Sequence, residues 1–233
     1  MNYSYYEVYT NALRAFSGMG FPYGADEDAA YIIAWLELNN LNGVKHLVNS
    51  IDKIDKKYNG KIIVKKSEFN INFKNSSALM KGPGLIDYLC LKFVHNKKFE
   101  FIINNCSEAE IFLPLLYRIS NKVICSGLIY INENNENILC IIKNECVKIG
   151  VISKDMNLKK NNVKILMSNK RINLKFVKII KEIKNDFIYK NLSKALRPEK
   201  KYWEIIEKIA YRTFVPESKE SRAKGAGGSN DND

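Results

Sequence analysis

Residues 122–153 read KVICSGLIYINENNENILCIIKNECVKIGVIS, and this stretch decides the fold. Apolar runs of strand length stand at about 122–131, 137–143 and 146–153, separated by short turns rich in Asn and Glu. Runs of this length and composition read as strands. A further strand at 163–168 follows. The close spacing predicts an antiparallel meander rather than repeated βαβ units, which would need helices between the strands.

Upstream of the meander, 99–104 reads as a strand and 107–119 as a helix opened by Ser107, with Glu108 and Glu110 in its first turn. Pro114 inside that pattern predicts a kink or an early helix start. Lys61–Val64 and Glu68–Phe73 run apolar or alternate at strand length. After a turn at 75–77, Gly82-Pro83-Gly84 places Pro83 in the first turn of a helix over about 84–92. The N-terminal third is helical. Tyr5, Val8, Tyr9, Ala12, Leu13 and Phe16 make one apolar face over 4–16, and the glycine-rich loop 18–24 ends it. A second helix begins at Ala25 with Asp26, Glu27 and Asp28 in its first turn, where acids complement the helix dipole. After a stop at Leu41-Asn42-Gly43, a third helix covers about 44–57. Downstream of the meander, 173–195 fits either strand or helix and reads best as strand then helix, and Pro198 starts a last helix over 199–212.

The expected fold class is therefore α+β. An N-terminal helical part (1–58) packs on a mostly antiparallel sheet within one domain spanning 1–214, and a polar, Gly-rich tail occupies 215–233.

A hydrophobic fraction of 46% with 11% aromatics is that of a globular chain. No run approaches the about 18 to 20 apolar residues that span a bilayer. Met1-Asn2-Tyr3-Ser4-Tyr5-Tyr6 has neither the basic start nor the apolar core of a secretory signal, so a cytoplasmic location is expected. The net charge of +12 comes mostly from Lys and accompanies abundant Asn and Ile, residues that share A/T-rich codons. It reads as a genome bias written onto solvated surface. Arg, better suited to base edges and bidentate phosphate contacts, is scarce, which argues against a nucleic-acid role. Cys90, Cys106, Cys125, Cys140 and Cys146 are odd in number and lie in apolar segments, as reduced core thiols do. None of their spacings is that of a zinc site, and no metal or cofactor is expected.

Three segments carry residues that a core does not explain. Arg14 to Gly24, with Gly18, Gly20 and Gly24, is a glycine-rich loop feeding an acid-capped helix. It is either an anion loop offering backbone N–H groups or a plain helix-loop-helix turn. Ser77, Lys81 and Gly82 precede the next helix and suit a carboxylate or phosphate, or again form a structural turn. Arg212 and, in the tail, Ser221 and Arg222 flank a Val-Pro turn; they form a clamp for a carboxylate or are ordinary surface arginines.

Three motifs together resemble a bacterial protein family of unknown function, over the whole chain. They are RAFSGMGFPYG before D-E-D-A-A, SALMKGPG, and the ending RTFVPESKESRAKGAGGSNDND. The resemblance implies that the tail belongs to the pattern, and it implies no reaction. A second, local likeness runs from Asp26 to His46, ending LNGVKH, and is similar to the opening of malate- and sulfolactate-type nicotinamide-dependent dehydrogenases. Those enzymes carry a catalytic His in a Ser-His-Gly context; here Lys45 precedes His46 and Leu47 follows it. A single His on a helix also reads as a packing or surface residue.

These readings converge on a metabolic protein that binds a small anionic metabolite. Its site would gather Arg14, Gly18, Gly20, Gly24, Ser77, Lys81, Gly82, Arg212, Ser221 and Arg222, with Glu217 or Glu220 as a base. The competing reading is a non-catalytic accessory subunit whose tail docks into a partner or a second copy.

Overall fold

The computed structural model describes residues 2–64, 69–94, 98–153, 157–184 and 192–214. Its strands are β1 (Asn70–Asn72), β2 (Lys98–Asn104), β3 (Cys125–Ile131), β4 (Asn137–Lys143), β5 (Cys146–Val151), β6 (Val163–Ser168) and β7 (Lys178–Ile183). They form one sheet in the order β1-β2-β6-β3-β4-β5-β7. Only β1 and β2 pair in parallel; the other neighbours are antiparallel. The meander is present as β3-β4-β5, which β7 extends, while β6 returns to lie between β2 and β3.

The two-residue period of a strand sorts these residues onto two faces. Leu128 and Tyr130 of β3, Ile138, Cys140 and Ile142 of β4, and Val163, Ile165 and Met167 of β6 point to the face that shares a core with the helices. Cys125, Ile129, Leu139 and Leu166 point the other way, into a small second core.

Six helices stand among the described residues: α1 (Tyr5–Gly18), α2 (Ala25–Leu38), α3 (Gly43–Ile54), α4 (Ala78–Val94), α5 (Phe112–Arg118) and α6 (Lys200–Ala210). Helix α1 opens with a capping box: the Glu7 N–H donates to Ser4 Oγ at 3.1 Å and the Ser4 N–H to Glu7 Oε2 at 2.7 Å. Helix α2 lies centrally, with Ala29, Ala30, Ile32, Ile33, Ala34 and Leu36 buried, and packs on α1, α3, α4 and α5. The entry to α3 hugs it. A Cβ on Gly43 would stand 2.0 Å from the Ile33 carbonyl oxygen, so only glycine permits this approach. Helix α6 closes over α1 and α3, and Trp203 stacks on Tyr3 with ring centroids 3.9 Å apart.

Several expected elements differ in their bounds. Helix α4 starts at Ala78, so Pro83 sits in its second turn. The earlier start is possible because the Ala78 N–H donates to the Glu108 carboxylate, 30 residues on in the chain, at 2.8 Å. The expected helix over 107–119 divides into a 3-10 turn, Ala109–Ile111, and α5. Pro114 falls in the first turn of α5, where a missing N–H leaves no helical bond unmade. Of the strands expected at 61–64 and 68–73, only β1 has a ladder partner. Ile62 and Val64 pack on the core without pairing. In 173–195 the strand is β7; the helix expected after it lies largely outside the described residues, as does the tail from 215 on. No helix among the described residues is long and apolar enough to cross a membrane.

Candidate functional site

Two glutamates on the short turn after β2 take up opposite tasks. Glu108 is a structural hub. Its Oε2 accepts from Ser77 Oγ at 2.6 Å and from the Ala78 N–H at 2.8 Å, capping α4. Its Oε1 accepts from Lys53 Nζ at 2.9 Å and lies 3.0 Å from Ser50 Oγ. The single Ser50 proton also faces the His46 carbonyl oxygen at 2.9 Å, so it serves one acceptor at a time. Through Glu108 the turn is held against both α3 and α4.

Glu110 faces the other way. Its Oε2 lies 2.7 Å from His46 Nε2, and its Oε1 accepts from the Tyr130 hydroxyl at 2.9 Å. His46 comes from α3, Tyr130 from β3 and Glu110 from the 3-10 turn, so three separate elements build the cluster. Burial pushes the Glu110 carboxyl up, but the His46 hydrogen bond and charge, with the Tyr130 hydrogen bond, more than offset this and hold it below the usual range. An ionised Glu110 only accepts, so His46 must carry its proton on Nε2. Its Nδ1 has no hydrogen-bond partner among the described residues. Burial pushes the Tyr130 hydroxyl far up, so it stays a donor.

These groups line a cleft of about 320 Å³ together with Asn132, Asn134 and Asn161. Its other charged lining residues are Glu108 and Glu133; neither Lys nor Arg lines it. Cys106 lies in its wall, and burial raises its thiol to about 12, which removes it as a nucleophile at neutral pH. No group of three or more His, Cys, Asp or Glu among the described residues is arranged to hold a metal ion.

The residues singled out from the sequence fall into two groups. Arg14 lies over the Phe214 ring at 5.1 Å, and Arg212 pairs with Asp55 at 2.7 Å. Gly18 is pressed against α6 and Arg212: a Cβ there would lie 2.8 Å from the Ile209 carbonyl oxygen and 3.4 Å from Arg212 Cβ. Gly20 and Gly24 adopt φ of +87° and +85°, the turn conformations that favour glycine. The first turn of α2 already holds a carboxylate, because Asp26 accepts from Ser17 Oγ at 2.8 Å and from the Glu27 N–H at 2.9 Å. In the second group, Ser77 is buried against Glu108, and Lys81 Nζ lies 5.6 Å from the centroid of the Phe73 ring. Gly82 abuts Leu115 and Phe112. Among the described residues no hydrogen bond or ion pair joins the two groups. Ser221, Arg222, Glu217 and Glu220 lie outside the described residues.

In the sequence neither Glu110 nor Tyr130 stands out, and His46 reads as a packing or surface residue. Two acids at the start of an apparent helix look like dipole complements, and nothing local marks Tyr130 as their partner.

Residues 3–77 match the family described as Protein of unknown function (DUF3726). The N-terminal motif of the resemblance lies within that match, the second motif straddles its end, and the C-terminal motif lies beyond it. No curated protein matches the sequence. Solved structures do match in fold. A dehydrogenase from Sinorhizobium meliloti is 8% identical with a TM-score of 0.59, the alignment covering 90% of this chain and 99% of that one. Sulfolactate dehydrogenase from Methanocaldococcus jannaschii is 10% identical with a TM-score of 0.59, covering 90% of this chain and 96% of that one. Malate dehydrogenase from Pyrococcus horikoshii OT3 is 10% identical with a TM-score of 0.58, covering 93% and 96%. At such identities the likeness is one of fold.

Proposed function

We propose that this protein binds a small metabolite in the His46 cleft and that His46 moves a proton at a carbonyl or hydroxyl oxygen of that metabolite. The observation that carries this reading is the 2.7 Å contact between His46 Nε2 and Glu110 Oε2, with Glu110 itself held by Tyr130. A carboxylate behind a histidine fixes the tautomer and the ring orientation, and it stabilises the imidazolium formed when the free nitrogen accepts a proton. Here that nitrogen is Nδ1. With the ring neutral, Nδ1 would accept a hydrogen bond from a ligand hydroxyl; with the ring protonated, it would donate one to a ligand carbonyl oxygen.

The fold supports a metabolic role, since it is shared with proteins named as sulfolactate and malate dehydrogenases, whose named substrates are anionic hydroxy acids. A small hydroxy or keto compound is accordingly the ligand class to try first. Because glutamates line the cleft and neither Lys nor Arg does, an uncharged ester suits it better than the free anionic acid.

The test is a thermal-shift panel of hydroxy acids, keto acids and their uncharged esters on the full chain, with His46→Asn and Glu110→Gln as variants. A ligand at 100 times its Kd adds about 2.7 kcal/mol, a shift of several degrees. The reading expects a shift that both variants abolish. A shift that survives His46→Asn refutes it.

A further inference from the structure

The outer face of the sheet carries no helix among the described residues. Residues 169–177 cross it instead as a strap, and Ile172, Leu174 and Phe176 pack on Cys125, Ile129 and Leu139 to form the second core. Two glycines allow the crossing. A Cβ on Gly150 would stand 2.4 Å from the Lys178 carbonyl oxygen and 2.7 Å from the Phe176 ring, and one on Gly127 would stand 3.2 Å from Ile172 Cδ1. The Val177 N–H fastens the strap to the Val151 carbonyl at 2.8 Å.

Between the strap and the β4–β5 hairpin opens a cleft of about 930 Å³. That lies within the roughly 300–1,000 Å³ typical of small-molecule sites. Its floor is apolar, built from Ile141, Ile172, Leu174, Phe176 and Ile179. Its rim carries Lys143, Lys148, Arg171 and Lys175, and neither Asp nor Glu lines it. Lys148 is paired with Glu182 at 3.0 Å. Lys143, Arg171 and Lys175 have no ion-pair partner among the described residues. A solvated lysine face normally mixes both signs over a polar floor. Here cations of one sign ring an apolar concavity, which is the complement of a molecule with a charged end and an apolar body. The His46 cleft has the opposite character, with glutamates and no Lys or Arg in its lining.

We infer that the outer cleft is a second binding site, separate from the His46 cleft, for a small anion with an apolar body: a sulfonate, phosphate or carboxylate carried on an aromatic ring or an acyl chain. The apolar body lies on Leu174 and Phe176, and the anionic group sits between Arg171 and Lys175, with Lys143 opposite.

The probe is 8-anilinonaphthalene-1-sulfonate, compared with its uncharged analogue N-phenyl-1-naphthylamine, titrated by fluorescence against the folded full chain. The sulfonate is expected to bind saturably and to shift the methyl NMR signals of Ile141, Ile172 and Leu174. The Arg171→Gln/Lys175→Gln double variant should weaken it roughly three- to tenfold, the effect of losing two partly exposed charge contacts, and leave the uncharged analogue unchanged. Both positions are exposed, so the variant keeps its fold, and Lys200→Gln on α6 sets the baseline for losing a remote charge. Equal binding of the sulfonate by the wild type and the double variant overturns the site. So does equal binding of the charged and uncharged probes, or methyl shifts that map away from the strap.

Discussion

Replacing Glu108 by Ala removes the acceptor on which the α3–α4 junction and the turn bearing Glu110 both depend. Four donors face that carboxylate, and they do not suffer equally. Ser50 turns wholly to the His46 carbonyl oxygen, already 2.9 Å away. Lys53 keeps Ser107 Oγ at 3.1 Å, and its side chain is 33% exposed, so water replaces the lost partner. The Ser77 hydroxyl and the Ala78 N–H have no such alternative, and Ser77 is fully buried. Each orphaned buried donor costs about 1–3 kcal/mol, so a loss of about 3–4 kcal/mol is expected after some water entry. For a chain of this size that corresponds to a fall in Tm of roughly 6–16 °C. Glu108→Gln keeps one carbonyl acceptor and should lose about half as much. Lys53→Met should lose less than about 1 kcal/mol, as befits a partly exposed ion pair. Urea and thermal unfolding followed by circular dichroism measure all three. If Glu108→Ala stays within about 1 kcal/mol of wild type, or if Lys53→Met proves equally damaging, the assignment of Glu108 as the cap of α4 is wrong.

Further outcomes follow from the same geometry. Glu110 is depressed in the folded state, so its contribution to stability is present above the ordinary glutamate range and disappears as pH falls through the lowered value. Glu110→Gln should therefore flatten the acid limb of the stability curve, and an unchanged limb would contradict the pairing. Glu37 is the reverse case: burial raises its carboxyl despite the 3.0 Å hydrogen bond from the Val44 N–H. Its contribution is present below the ordinary glutamate range and is lost as pH rises through the raised value, so Glu37→Gln should gain stability relative to wild type at pH 8 but not at pH 4. Gly43→Ala sets a methyl against the Ile33 carbonyl and should cost about 3 kcal/mol or more in urea unfolding, because backbone must move. Cys106, Cys125 and Cys140 are buried, and burial raises Cys106 to about 12, so a thiol reagent at pH 8 should modify only Cys90 and Cys146 before unfolding. Rapid reaction of a third thiol would contradict the burial.

The local pattern settled much of the architecture. The bounds of β4 and β6 coincide with the apolar runs at 137–143 and 163–168, because strands buried on both faces read as continuous apolar runs and short polar turns bound them. Helix α1 is marked by its apolar spacing, and α2 by the acids that open it. The errors lie where partners are distant. Helix α4 begins before Gly82-Pro83-Gly84 because a carboxylate from another turn satisfies its first N–H, and no feature within residues 76–84 announces that donor's partner.

What the sequence by itself determined is the fold class, through apolar runs of strand length and helical spacings of three to four that each segment carries alone. What only the tertiary structure decided is the chemistry. His46 and Glu110 are 64 residues apart, and Tyr130 is 20 beyond Glu110. Each reads locally as a packing residue, a dipole complement or a strand aromatic. The cations of the outer cleft come from the end of β4, from β5 and from the strap, and in sequence they are indistinguishable from other lysines and arginines of a chain with net charge +12. Hydrogen bonding and charge complementarity act over a few ångströms in space, whereas sequence records only separation along the chain. A site assembled from three elements therefore exists only once the sheet and helices have packed.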